Sequence, residues 1–376
     1  MKIKLLFIYG ELGGGGAERV LLDLLANLDR DRYEVDLCII VNGGVLLREV
    51  PAFVNIIPLY STYTWQYKLA LRLSKWGISN YLFKRVLSKK ISKKYDVEIS
   101  FLEGMPLKLH ALLNTKTKKL TWVHCDLFNF HYTKSQFYAN EEVKAYNKMD
   151  KVVCVSNDSL VAFNQRFPNC DTEKKVIYNP LDIEKIKLLA REFHLNKENR
   201  FTIIFVGRLT LQKQPQRIIR LAAKFKKANI RVHFQIIGDG ELKEDLKNLA
   251  KKLDVLEMVE FLGFVKNPYP NIKKADLLLS CSAYEGFGLV ICEAMCLGTA
   301  VVATRTAGPT EIIQNNKYGI LCEQNEEAIY KAVLTMIQDK ELRQYYQRVG
   351  FERANDFSVN NTVREFDILI SNILAK

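Results

Sequence analysis

The stretch Ser282-Ala-Tyr-Glu-Gly-Phe-Gly-Leu-Val-Ile-Cys-Glu-Ala-Met295 sets two carboxylates, Glu285 and Glu293, on either side of a glycine-bearing turn. The apolar run before it reads as a buried strand, and the pattern after it opens a helix near Gly288. Glu285 then sits in the turn and Glu293 within the first helical turns. Gly286 and Gly288 let backbone approach a ligand closely, and the free amides of a helix start bind anions. Carboxylates beside an anion are costly unless each meets hydroxyl groups, which a sugar supplies. Glu293 lies among Val290, Ile291, Ala294 and Met295, which argues against a plain surface turn.

A second candidate is Val206-Gly-Arg-Leu-Thr-Leu-Gln-Lys-Gln-Pro215, where Arg208 and Lys213 follow another apolar strand. A guanidinium fork and a point charge at a strand end suit a diphosphate whose charge grows as it leaves. Glycine turns also close strands at Ile237-Gly-Asp-Gly-Glu-Leu242 and within residues 305–312. Neither these nor Gly13 to Gly16 fits Gly-x-Gly-x-x-Gly, so a dehydrogenase fingerprint is unsupported. Asp29-Arg-Asp31 joins a helix end to a strand start and reads as a solvated turn, with no metal and no cofactor implied. His124 follows the apolar run Leu120 to Val123 at a strand end, whereas His110, His131, His194 and His233 default to structural roles.

The elements that must position these residues alternate strand and helix. Strands are expected at 3–9, 34–41, 97–102, 119–123 and 151–155, with the helix 17–28 after the glycine run. Beyond Tyr178-Asn-Pro-Leu-Asp182, a hinge, they resume at 201–206, 232–237, 259–262, 275–280, 299–303 and 319–321. Near-continuous apolar strands separated by helices imply parallel sheets covered on both faces. The fold class is α/β, two doubly wound Rossmann-like domains facing each other across a cleft. The expected domains are 1–178 and 179–355, with a helix at 356–376 returning to the first. Ligands of such sheets bind at the carboxyl ends of the strands. Eight scattered cysteines without a Cys-x-x-Cys pair read as core residues of a reducing cytosol. The apolar start is too short for a signal peptide, and no run is long enough to span a membrane.

Taken together the chain resembles the family 4 retaining glycosyltransferases of the GT-B fold over nearly its whole length. The resemblance rests on Gly14-Gly-Gly-Ala-Glu-Arg19, Trp122-Val-His-Cys-Asp126, Tyr178 to Asp182, Gly207-Arg208 with Lys213, Gly238-Asp-Gly240 with Leu242, and the Glu285 and Glu293 pair. It implies that domain 1–178 binds the acceptor and domain 179–355 a nucleotide-sugar donor, a UDP-sugar by family frequency, with Glu293 on the ribose and Arg208 and Lys213 on the diphosphate. Glu285 would bind the donor sugar, amides around Phe287, Gly288 and Leu289 would meet sugar and phosphate, and Gly238 would line the same site. Gly14, Gly15 and Gly16 would approach the diphosphate, and His124 would face the reacting sugar. Pro180 and Gln214 stand where the family commonly has glycine, which affects hinge and loop geometry. A nucleotide-sugar 2-epimerase and a non-catalytic nucleotide-sugar-binding protein are the alternatives.

The chain carries 55 Lys plus Arg against 42 Asp plus Glu, an excess that attracts something anionic. Between Glu49 and Asp96 there is no acidic residue, and Lys68, Arg72, Lys75, Lys84, Arg85, Lys89, Lys90, Lys93 and Lys94 interleave with Trp65, Leu69, Leu73, Trp76 and Leu87. A basic amphipathic segment with tryptophans suits an anionic bilayer, so residues 65–94 are expected to dock on a membrane. That placement, peripheral on the inner face of the cell membrane, fits a glycan acceptor carried on a lipid diphosphate, as in bacterial surface polysaccharide or capsule synthesis. Nucleic acid is not an expected partner, because no recognition helix or aromatic RNA-binding motif is present.

Overall fold

The computed structural model describes residues 2–192 and 200–375, which leaves His194 outside the described residues. The chain divides into two compact units, Met1–Pro180 with Val359–Lys376, and Leu181–Ser358. The first holds a seven-stranded parallel sheet of β1 (Ile3–Tyr9), β2 (Tyr33–Val41), β3 (Asn55–Tyr60), β4 (Val97–Ser100), β5 (Lys118–Val123), β6 (Lys151–Cys154) and β7 (Glu173–Val176), in the order β3-β2-β1-β4-β5-β6-β7. The second holds β8 (Phe201–Val206), β9 (Val232–Ile237), β10 (Val259–Gly263), β11 (Leu277–Ser280), β12 (Ala300–Thr304) and β13 (Ile320–Cys322), in the order β10-β9-β8-β11-β12-β13. Both are Rossmann-like domains.

The centre of β1 is apolar because helices cover both faces of the sheet; Leu5, Leu6, Phe7 and Ile8 are fully buried. Two strands, β3 and β7, are absent from the sequence reading, and both are sheet edges. β3 contains Pro58, which cannot donate to a ladder, and β7 reads Glu-Lys-Lys-Val. Proline and charge are tolerated at an edge, where they also discourage pairing with another chain. The final helix, Val359–Leu374, packs in the first unit through Phe366, whose ring lies 6.2 Å from Phe7 and 6.1 Å from Tyr33. All eight cysteines are free and seven are buried. Among the described residues no helix is long and apolar enough to cross a membrane.

Strand order reverses between β1 and β4 in the first sheet and between β8 and β11 in the second. At such a point successive crossovers leave in opposite directions, which opens a crevice at the carboxyl ends. The segments that emerge there are residues 10–16 after β1, 101–103 after β4, 207–213 after β8 and 281–288 after β11.

Candidate functional site

In the second unit the turns after β8 and β9 are zipped together. Gly207 donates its amide to the Ile237 carbonyl at 3.0 Å, Leu209 to Asp239 at 2.9 Å, and Leu242 to Leu209 at 3.0 Å. A Cβ on Gly238, whose φ is +143°, would lie 1.9 Å from the Gly207 carbonyl oxygen, so only glycine fits and the Arg208 turn depends on it. Arg208 is exposed; its carbonyl accepts the Thr210 amide at 2.9 Å, while its side chain makes no hydrogen bond or ion pair among the described residues. Lys213 instead pairs with Glu285, and Ser282 Oγ donates to the same Glu285 oxygen at 3.2 Å. The two turns are fastened by the Ala283 amide on the Gln212 carbonyl (2.8 Å) and by Gln212 Nε2 on the Tyr284 carbonyl (3.2 Å). Gln214, which stands where the family commonly has glycine, adopts a left-handed φ of +50°.

The helix Leu289–Cys296 starts from Gly288 in a left-handed conformation, φ +99°, so the chain turns sharply, and the amides that open the helix precede any intrahelical acceptor. Phe287 is buried with its ring edge-on to Phe357 at 5.3 Å. Glu293 lies half-buried within that helix and accepts from the Tyr269 hydroxyl at 3.2 Å. Gly308 donates its amide to the Glu285 carbonyl at 3.0 Å, and a Cβ there would lie 2.0 Å from the Phe287 carbonyl oxygen. Arg208, Lys213, Glu285, Phe287, Gly288, Leu289 and Glu293 are thus gathered around the switch point of one sheet.

In the first unit, Gly14 has φ +105°, Gly15 caps the helix Gly16–Asn27 and Gly16 opens it. The preceding loop is pinned where the Leu46 amide meets the Leu12 carbonyl at 3.1 Å, an approach that leaves no space for a Cβ on Gly44. His124 follows β5 with its ring 5.1 Å from Phe101. Both ring nitrogens are covered and make no hydrogen bond of good geometry among the described residues. Burial pushes the imidazole down to about 3, the Phe101 backbone opposing only part of the effect. A neutral ring at physiological pH offers one donor and one acceptor. The His124 amide donates to Glu103 Oε2 at 2.8 Å and the Tyr132 hydroxyl to Glu103 Oε1 at 2.9 Å. Burial raises the Glu103 carboxyl above its ordinary range, and these two donors offset part of that rise.

His110, His131 and His233 are each engaged by neighbours, His110 Nδ1 with Ser100 Oγ at 3.1 Å, His131 Nε2 with Glu142 at 2.6 Å and His233 Nε2 with Glu260 at 3.0 Å. Asp29 accepts the Asp31 amide at 2.8 Å in the turn before β2. Among the described residues no group of three or more His, Cys, Asp or Glu is placed to hold a metal ion. Four contributors carry no role in the sequence reading: Glu103, Ser282, Tyr269 and Gly308. Glu103 and Gly308 follow strands, which is the signal that could have found them. Tyr269 opens a helix far from Glu293 in sequence and gives no such signal.

The basic segment forms the helices Trp65–Lys75 and Tyr81–Lys90. The first buries Tyr67, Ala70 and Ser74, which leaves Trp65 70% and Trp76 57% exposed, with Arg72 over the Trp76 ring at 4.4 Å. Lys93 departs from the expected set of outward cations. Its Nζ binds Glu34 at 2.7 Å and Asp36 at 3.1 Å, because β2 brings those carboxylates beside it.

Two doubly wound parallel units of this kind define the GT-B class of glycosyltransferases. The Anabaena HepE structure in complex with UDP and glucose shares the fold, at 23% identity and a TM-score of 0.79, covering 98% of this chain and 99% of that one. The family model Glycosyltransferase Family 4 matches residues 14–185, and Glycosyl transferases group 1 matches residues 187–353. The chain belongs to glycosyltransferase family 4 and is a glycosyltransferase. It is 30% identical to an uncharacterised glycosyltransferase of Methanocaldococcus jannaschii over 69% of each chain. A Campylobacter jejuni relative, N-acetylgalactosamine-N,N'-diacetylbacillosaminyl-diphospho-undecaprenol 4-alpha-N-acetylgalactosaminyltransferase, is 28% identical over 96% of this chain and 97% of its own.

Proposed function

We propose that the protein transfers a sugar, with retention of anomeric configuration, from a UDP-sugar to a hydroxyl of a glycan carried on a lipid diphosphate. The observation that carries this reading is the meeting of Arg208, the Lys213 and Glu285 pair and the Gly288 helix start at one switch point. Arg208, Lys213 and the helix-start amides of Gly288 and Leu289 neutralise the leaving diphosphate. Glu293 holds the ribose, and Glu285, with Ser282, takes the hydroxyls of the donor sugar. From the first unit the Gly14 to Gly16 turn serves the diphosphate, and neutral His124 contacts the reacting sugar. The acceptor hydroxyl enters on the face the diphosphate leaves, and a phosphate oxygen takes its proton, so no separate base or metal is needed. The lipid-linked acceptor is supported by the Campylobacter relative, whose name specifies a diphospho-undecaprenol substrate. Exposed Trp65 and Trp76 among Lys68, Arg72 and Lys75 support docking of residues 65–94 on an anionic inner membrane face.

The test is incubation with individual nucleotide sugars and undecaprenyl-diphosphate glycans, with mass analysis and the anomeric configuration read by NMR. Absence of transfer with every donor would refute the proposal. An epimer formed from donor alone would favour the isomerase instead.

A further inference from the structure

Immediately beyond His124 the chain makes a turn fastened to itself. The buried Asp126 carboxylate accepts the amides of Phe128 (3.2 Å) and Asn129 (3.0 Å) and the Asn129 side-chain amide (2.6 Å), while its carbonyl accepts the Phe130 amide (3.0 Å). Leu127 is fully buried and anchors the turn, yet Phe128 and Phe130 are 54% and 39% exposed. Two large aromatic side chains left partly exposed on one fixed turn make a small apolar surface, the kind that suits a ligand. Phe130 stacks on Tyr132 with ring centres 5.8 Å apart and planes at 19°. Tyr132 donates to Glu103, and Glu103 receives the His124 amide, so packed and bonded groups tie the Phe130 ring to His124.

Charge decides what the turn suits. Between Lys119 and Lys134 the sequence has no Lys or Arg. An anionic lipid surface favours aromatics flanked by cations, as in residues 65–90. The apolar face of a pyranose ring asks only for an uncharged aromatic plane.

We propose that Phe128 and Phe130 form a stacking platform for the terminal sugar of the acceptor, held at a fixed position relative to His124 by the Asp126 turn and the Tyr132 and Glu103 links. The inference rests on the transferase reading above. The test uses full-length Phe128→Ala and Phe130→Ala and, as probe, an N-acetylhexosamine-terminated glycosyl diphosphate on a short soluble chain. Binding is followed by saturation-transfer NMR without turnover. Each variant is expected to weaken binding about tenfold, with melting temperature and UDP affinity unchanged, and Phe128→Tyr is expected to restore it. Unchanged probe binding in both variants would overturn the platform. So would lost liposome binding with unchanged probe affinity, which would assign the rings to lipid. Because binding is read apart from turnover, absence of transfer by the unmodified protein would overturn the transferase reading alone.

Discussion

Gly308→Ala is the sharpest perturbation of the second unit. A Cβ at this position would lie 2.0 Å from the Phe287 carbonyl oxygen and 2.3 Å from the Phe287 carbonyl carbon and Cα, so the obstacle is backbone rather than a movable side-chain tip. The Phe287 segment must retreat by more than 1 Å to restore ordinary contact. That retreat stretches the 3.0 Å bond from the Gly308 amide to the Glu285 carbonyl and displaces Glu285, Phe287 and the start of the Leu289–Cys296 helix together. Overpacking of this kind costs about 1–3 kcal/mol, and for a unit of this size each kcal/mol lowers the melting temperature by about 2–4 °C. A shift of about 1 Å in substrate-positioning groups costs about 10²-fold in rate. The variant should therefore remain folded by near-UV circular dichroism, bind UDP more weakly by calorimetry and lose about 10²-fold in kcat/KM for transfer. Gly10→Ala is the control, because nothing lies within 4 Å of the added carbon. A folded Gly308→Ala protein with unchanged UDP affinity and transfer rate would refute the argument that this glycine sets the site.

Four further outcomes follow from the same geometry. Lys213→Ala and Glu285→Gln should each lower kcat by about 10²-fold or more; unchanged rates in both, measured in a coupled UDP-release assay, would remove the site assignment. The His124 imidazole, held near 3 when folded, has an ordinary value of about 6.5 when unfolded. Between those values the unfolded chain binds more protons, so His124 withdraws up to about 1.4 kcal/mol of stability per pH unit as pH falls. His124→Gln should flatten the decline of melting temperature between pH 6 and pH 4, and Glu103, whose raised carboxyl acts with the opposite sign, is retained in the comparison. EDTA should leave transfer unchanged, and restoration of activity by an added divalent ion would contradict that. Neutralising Lys68, Arg72, Lys89 and Lys90 should weaken binding to anionic liposomes in a salt-dependent way, whereas Lys93→Gln should act mainly on stability, since its partners are Glu34 and Asp36.

The parts of the fold legible in sequence are those where burial on both faces forces an unbroken apolar run, as in Leu5–Tyr9 of β1 and Leu277–Leu279 of β11. The edge strands β3 and β7 pack against one neighbour and carry proline or charge, so their composition is that of a loop. The candidate site divides similarly. Glu285, Glu293, Arg208 and Lys213 stand beside glycine turns and strand ends, and local pattern reveals them. Tyr269 meets Glu293 only through the packing of two helices, and the Lys213 to Glu285 pairing depends on two loops meeting across the switch point. Neither relation has a local signature. The outward face of the Trp65–Lys75 helix lacks a local signature for a different reason, since basic and apolar positions adjoin around it and only packing through Tyr67 and Ala70 decides which turns outward.

The pairing of Lys213 with Glu285 also bears on how a carboxylate can stand beside the proposed diphosphate site. Both side chains are mostly covered, at 19% and 15% exposure, so either one left alone would lose hydration without compensation. Paired, they keep the ligand-free protein stable and hold Lys213 at the switch point. On the proposed reading an arriving donor would offer Lys213 a diphosphate and Glu285 a set of sugar hydroxyls, so both partners would be replaced in one exchange. UDP alone offers only the first half and must take Lys213 from Glu285 while leaving that carboxylate without a cation. Glu285→Gln removes this competition and should bind UDP severalfold more tightly by calorimetry while failing in transfer. Equal or weaker UDP binding by this variant would show that the pair does not restrain Lys213.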